Sequence, residues 1–238
     1  MNVEAPRPVF YSGRELEVFA GALRWKAYWS SRIRQWVCGD VLEPGAGLGA
    51  NTALLQNPDV TSWRCLEADA ALAAAAREAL AHLKGCTVSV GTIAGVAAEK
   101  FDTVLYIDVL EHIAEDRAEL AAAAQVLREG GHIVVVAPAH QFLFSAFDAA
   151  IGHYRRYNRE SLLACSPPEC RLEAMFYLDS AGMAASLANR LLLRQSRPTA
   201  AQIGFWDRGI VPVSRVLDRL AGYRVGKTIC GVWTRLPR

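Results

Sequence analysis

Apolar residues fall into short runs, separated by segments with helical spacing, through most of the chain. DVLEPGAG (40–47) reads as a strand ending in a glycine turn, and SWRCLEA (62–68) as a second strand. DAALAAAAREALAHL (69–83) follows, its alanines and spaced leucines predicting a helix. TVSVG (87–91) is a short third strand, and FDTVLYIDV (101–109) a fourth, rich in β-branched and aromatic residues. EDRAELAAAAQVLREGG (115–131) predicts a helix that stops at the paired glycines, with Arg128 in its last turn. HIVVVAPA (132–139) is apolar throughout, as in a strand covered on both sheet faces. Five strands linked by helices predict a doubly wound parallel α/β sheet with right-handed crossovers.

The last third changes pattern. CRLEAMFYLDS (170–180) and GKTICGVWTRLP (226–237) have strand character, while AGMAASLANRLLLRQ (181–195) and PVSRVLDRLAGY (212–223) have helical spacing. Residues 14–37 read as a helical, aromatic segment with Phe19, Trp25, Tyr28, Trp29 and Trp36.

Composition narrows the classes. With 238 residues, 52% of them hydrophobic and 21% charged, the chain suits one globular domain. No apolar run approaches the roughly 18 residues of a membrane span. MNVEAPRPVF lacks a basic-then-apolar leader pattern, and the cysteines (38, 65, 86, 165, 170 and 230) include no C-x-x-C pair. The expectation is a reduced, cytoplasmic protein with no metal site. Charge is asymmetric: residues 1–150 hold 12 basic and 18 acidic side chains, residues 151–238 hold 14 and 6. The C-terminal part therefore either meets an anion or carries a solvated basic face.

The chemistry concentrates at strand ends. VLEPGAGLGAN (41–51) sets Gly45, Gly47 and Gly49 where the first strand passes into a helix, letting backbone approach a ligand closely. The spacing is G-x-G-x-G, whereas the dinucleotide fingerprint is G-x-G-x-x-G. Glu43 within the strand end would repel a pyrophosphate but suits an ammonium group. Glu67, at the end of the second strand, is placed to accept ribose hydroxyls. A nucleoside without phosphates, joined to an amino acid, satisfies both.

VLEPGAGLGAN, CLEAD and FDTVLYIDVLEHI, in this order and spacing over about residues 38–138, resemble the successive motifs of class I S-adenosylmethionine-dependent methyltransferases. PAH, a following FD, and GHYRRY (152–157) resemble a group of small bacterial members. The resemblance implies a Rossmann-like, doubly wound α/β sheet of seven strands, mostly parallel with an antiparallel last strand. One domain, 1–238, is then expected, with a helical cover (1–37), a cofactor-binding core (38–139), a substrate-side lid (140–165) and C-terminal strands and helices (166–238).

S-adenosylmethionine is the implied cofactor and S-adenosylhomocysteine the product. Glu43 and the backbone at Gly45, Ala46 and Gly47, with Asn51, would take the methionine part. Glu67 and Ala68 would take the ribose, Thr92 and Ile93 the adenine, and Asp108, Val109 and Leu110 the sulfonium end.

Transfer from a sulfonium needs an aligned acceptor and removal of its proton. His112, His140 and His153 are the candidate bases. Tyr154 and Tyr157 offer rings to an acceptor, and Arg155 and Arg156 a clamp for an anionic one, with Asp148 pairing to either arginine. The leading expectation is a small-molecule O- or N-methyltransferase, monomer or homodimer, with no nucleic-acid partner. An RNA methyltransferase and a non-catalytic Rossmann-like binding protein are the alternatives. Against RNA stand IDVLEH, where an N-P-P-Y-like tetrad would be, and the lack of a separate RNA-binding module.

Overall fold

A computed structural model of the chain describes residues 21–189 and 199–237. Phe19 and the ends of the helices expected over 14–37 and 181–195 lie outside the described residues. In chain order the elements are α1 (Leu23–Ile33), β1 (Gly39–Pro44), α2 (Ala50–Leu55), β2 (Val60–Glu67), α3 (Ala70–Ala79), β3 (Cys86–Val90) and β4 (Phe101–Ile107). Then come α4 (Asp116–Val126), β5 (Leu127–Pro138), α5 (Ala146–Ala150), α6 (Arg159–Leu163), β6 (Cys170–Leu178) and α7 (Ser180–Ala188). Last are α8 (Ala200–Phe205), α9 (Val211–Leu220) and β7 (Thr228–Arg235), with one π-helical stretch, Trp206–Ile210, joining α8 to α9. No helix among the described residues is long and apolar enough to cross a membrane.

The seven strands form one sheet in the order β3-β2-β1-β4-β5-β7-β6. β7 runs antiparallel to both neighbours, and the pairings from β3 through to β5 are parallel. Period-two alternation sends neighbouring residues into two cores. Leu42, Val104, Tyr106, Ile133 and Val135 face one, and Val41, Leu105, Ile107, Val134 and Val136 the other. Because β1 has β2 on one side and β4 on the other, a crevice opens at the C-terminal strand edges where the strand order reverses.

The helix expected to run to the paired glycines is shorter. α4 ends at Val126, and Leu127 turns extended at φ −80°, ψ 148° to begin β5. Leu127, 1% exposed, pairs with Phe101, and the next registered pair is His132 with Thr103. Residues 128–131 form a bulge between those pairs, and burial of Leu127 outweighs the helix preference of its neighbours. Gly131 suits the bulge because an added Cβ would stand 2.7 Å from the Asp102 carbonyl oxygen.

Candidate active site

The ends of β1, β2, β3 and β4 open on one cleft of about 1780 Å3, beyond the roughly 300–1,000 Å3 typical of a single-ligand pocket. Gly45 has φ +69°, and a Cβ there would come within 2.7 Å of Val109 Cγ2, so only glycine lets backbone form this wall. Gly49 serves packing instead, its missing Cβ making room for Leu80, just after α3. Glu67 fastens the turn, its Oε2 accepting from the Gly47 N–H at 2.9 Å and its Oε1 from the Asp69 N–H at 3.0 Å. Gly45, Ala46, Gly47, Asn51, Glu67, Ala68, Thr92, Ile93, Asp108 and Val109 all line this cleft.

Two residues expected with them do not. Glu43 is 1% exposed and lies beneath the turn, where its Oε2 accepts from the Thr52 hydroxyl at 2.5 Å and the Trp63 indole N–H at 2.9 Å. Burial raises its carboxyl to about 7 against those two bonds. Leu110 is fully buried, because β4 exits through Asp108 at φ +53° into a 3₁₀ turn, Leu110–His112, rather than a full helix.

Past Asp108 the cleft floor carries Glu111, His112 and His153. The two imidazoles meet edge to face, centroids 4.5 Å apart at 86°. Burial, and then His153, lower the His112 pKa to about 4. Glu111 is fully buried; burial and then Asp108 push its carboxyl well above the usual range, with Asp148 adding to the rise and Arg156 opposing it. His153 Nδ1 stands 3.0 Å from Asp148 Oδ1. The same carboxylate takes Arg156 Nε at 2.9 Å and Nη2 at 3.0 Å, and closes a capping box with Ser145 on α5.

The segment 153–157 is a strap between two strand exits. The Tyr154 N–H donates to the Glu111 carbonyl, and the Tyr157 N–H to that of Pro138. That threading turns several expected contacts away from the cleft. Tyr157 is 1% exposed, its hydroxyl donating to Asp116 at 2.8 Å, and Arg155 pairs with the same Asp116 at 2.5 Å. Tyr154 is exposed on the outside of the strap. His140, at φ +66°, stacks on Tyr177 at 5.0 Å and lines no part of the cleft. Of the strap, His153 and Arg156 reach the cleft.

Apart from Trp25 of the expected aromatic cover, other lining residues went unread in the sequence. Lys26 from α1 and Lys227 before β7 both reach the cleft. Lys227 Nζ lies 3.3 Å from the buried Asp179 and 4.1 Å from the Trp206 ring centroid. Trp25, Leu143, Phe144, Phe147, Ile203, Phe205 and Trp206 make much of the remaining wall apolar. Buried carboxylates anchor this cover: Asp207 takes the Trp25 N–H at 2.8 Å, and Asp218 the Tyr28 hydroxyl at 2.8 Å. Their only sequence signal is acid set among apolar residues, which alone does not separate a buried anchor from a solvated one.

Residues 42–133 match the family model described as a methyltransferase domain. No curated protein matches the chain. Among solved structures it resembles a geranyl diphosphate methyltransferase in complex with S-adenosylmethionine (TM-score 0.64, 15% identity, 94% of this chain and 91% of that one). It also resembles coclaurine N-methyltransferase bound to N-methylheliamine and S-adenosylhomocysteine (0.61, 12%, 90% and 72%). A third likeness is an S-adenosylmethionine-dependent methyltransferase from Clostridium acetobutylicum (0.58, 10%, 95% and 99%). The glycine turn and Glu67 stand on one wall of the cleft, within the stretch that matches a methyltransferase domain, and the chain shares the fold of these solved methyltransferases.

Proposed function

We propose that the chain methylates an oxygen or nitrogen of a small, largely apolar molecule and releases S-adenosylhomocysteine. Gly45, Ala46, Gly47 and Asn51 would hold the methionine end, Glu67 and Ala68 the ribose, Thr92 and Ile93 the adenine, with Asp108 and Val109 beside the sulfonium. Glu67 suits a diol: each carboxylate oxygen accepts one backbone N–H and keeps a further lone pair for a hydroxyl. The cofactor supplies an activated methyl group, so the protein's part is to seat the acceptor and remove its proton. The Glu111, His112 and His153 cluster is the proposed place for that removal. His112, lowered to about 4 by burial and then by His153, is neutral at neutral pH.

The observation that carries the small-molecule reading is the apolar wall of Trp25, Leu143, Phe147, Ile203, Phe205 and Trp206 in the same cleft. The charges argue for an uncharged acceptor over the anionic one suggested by the arginines alone. Arg156 is matched by Asp148, and Lys227 by Asp179. Several C-terminal arginines are internal ties as well: Arg155 to Asp116, Arg159 to the Met175 carbonyl and Arg235 to that of Leu127. That leaves the RNA reading less support than the bare charge count gave it.

Calorimetry should show S-adenosylhomocysteine binding and no NADH binding. S-adenosylmethionine turnover should then appear with phenols or amines drawn from an apolar panel. Turnover with RNA alone would overturn the acceptor class.

A further inference from the structure

Glu111 is fully buried, yet no donor from another residue is within hydrogen-bond reach of either carboxylate oxygen, its own backbone N–H being the one that bears on it. A buried polar group without a partner is costly to fold around, so what stands around it matters. Its neighbours on the cleft floor are two imidazoles, and one ligand atom from each of Glu111, His112 and His153 lies within 4.8 Å of the other two.

The tautomer of His153 follows from its other side. Asp148, clamped by the Arg156 guanidinium, can only accept, so His153 Nδ1 donates to it at 3.0 Å. The lone pair is then on Nε2, which faces Glu111 Oε1 at 3.8 Å, too far for a hydrogen bond. A carboxylate that fixes the far nitrogen of a histidine is the usual outer partner of a metal-ligating imidazole.

We propose that Glu111, His112 and His153 bind one divalent transition-metal ion at the acceptor end of the cleft, with its remaining positions open to the acceptor. The inference rests on the methyl-transfer reading and deepens it. Two imidazoles and one carboxylate suit ions such as Zn2+, Co2+ or Fe2+ better than Mg2+ or Ca2+. Bonds of about 2.0–2.2 Å put ligand atoms roughly 3–3.5 Å apart, so the three side chains draw in by about an ångström on loading.

The ion acts as a Lewis acid and keeps its oxidation state. An acceptor hydroxyl at an open position is acidified as metal-bound water is. Its proton leaves to solvent, and the oxygen lone pair forms the O–CH3 bond. The S–CH3 bond breaks as this happens, and its electron pair stays on sulfur, giving neutral S-adenosylhomocysteine. The acceptor class this selects is a hydroxyl compound, favoured where a second oxygen lies in chelating reach.

The test is a cobalt(II) titration of tag-free, chelator-stripped protein, with and without S-adenosylhomocysteine, followed by visible absorption and proton NMR. One saturable ion per chain and two exchangeable, hyperfine-shifted imidazole N–H signals are expected. Glu111→Gln and His153→Ala should each weaken cobalt at least about tenfold while calorimetry shows unchanged S-adenosylhomocysteine affinity. No saturable cobalt in the wild type, a different imidazole count, or unchanged binding in both variants overturns the metal site. The NMR count on the wild type decides should a variant fail to fold. Loss of S-adenosylhomocysteine binding in the wild type would instead overturn the methyl-transfer reading, since cobalt is also titrated without it.

Discussion

His153 Nδ1 donates to Asp148 Oδ1 at 3.0 Å, and with the two bonds from Arg156 to the same carboxylate it joins the strap over the cleft to helix α5. Burial alone would raise the Asp148 carboxyl, but His153, Arg156 and Ser145 outweigh it and hold the group well below the usual carboxylate range. A carboxyl whose pKa falls on folding adds stability above its unfolded value, near 3.9, and loses it as pH drops further. Asp148→Asn should therefore cost roughly 2–4 kcal/mol at pH 7. The gap to wild type should narrow below about pH 4. Urea melts from pH 3 to 7 measure this, and a gap independent of pH would count against the ionic network.

The two neighbouring arginines should separate in kinetics. Arg155 is tied to Asp116 at 2.5 Å and to the Ala114 carbonyl at 2.8 Å, away from the cleft. Arg155→Ala is expected to leave the acceptor KM within about twofold and to cost no more than about 1 kcal/mol of stability. Arg156 lines the cleft through a two-point hold on Asp148 that an ammonium cannot reproduce. Arg156→Lys should raise the acceptor KM several-fold, with the S-adenosylmethionine Kd unchanged. Equal effects of the two substitutions would contradict the assignment.

Glu67 joins the glycine turn to the proposed ribose site, so its loss should be read in cofactor affinity. Removing a charged acceptor of this kind is worth about 1.5–3 kcal/mol. Glu67→Ala should weaken S-adenosylhomocysteine by about 10–100-fold in calorimetry. Glu67→Gln keeps one acceptor oxygen and should fall between. An unchanged Kd in the alanine variant would move the ribose elsewhere.

What the sequence made legible is what depends on local spacing. The apolar runs fixed strand faces because side chains alternate on a strand, and Val104, Leu105, Tyr106 and Ile107 do sort by parity into two cores. Gly45 was legible because a positive φ and a close approach to Val109 admit only glycine. The strap was legible as a segment but not residue by residue. Whether Tyr157 meets a ligand or Asp116 depends on how residues 153–157 thread between the exits of β4 and β5, which no periodicity encodes. The end of α4 failed for a similar reason: Leu127 leaves the helix to pair with Phe101, a partner distant in sequence. Glu111 stood in plain view in IDVLEHI, but its burial without a donor from another residue is visible only once β4 turns at Asp108.

The last prediction concerns Glu43, which the resemblance assigns to the cofactor and the fold puts underneath the glycine turn. Its burial is not repaid by a cation: its hydrogen-bond partners are the neutral Thr52 hydroxyl and Trp63 indole. Burial thus raises the carboxyl from 4.5 to about 7 in the folded protein. Across that window the folded state binds more proton than the unfolded chain, so stability falls as pH rises from about 4.5 to 7 and levels off above. Glu43→Gln keeps an oxygen for Thr52 and Trp63 and removes the titration. Relative to wild type it should gain on the order of 1–3 kcal/mol between pH 5 and pH 8. Chemical denaturation of the cofactor-free proteins at pH 5, 6, 7 and 8 measures the difference. A constant difference would mean that Glu43 is ionised throughout, and that a cation reaches it from the cleft.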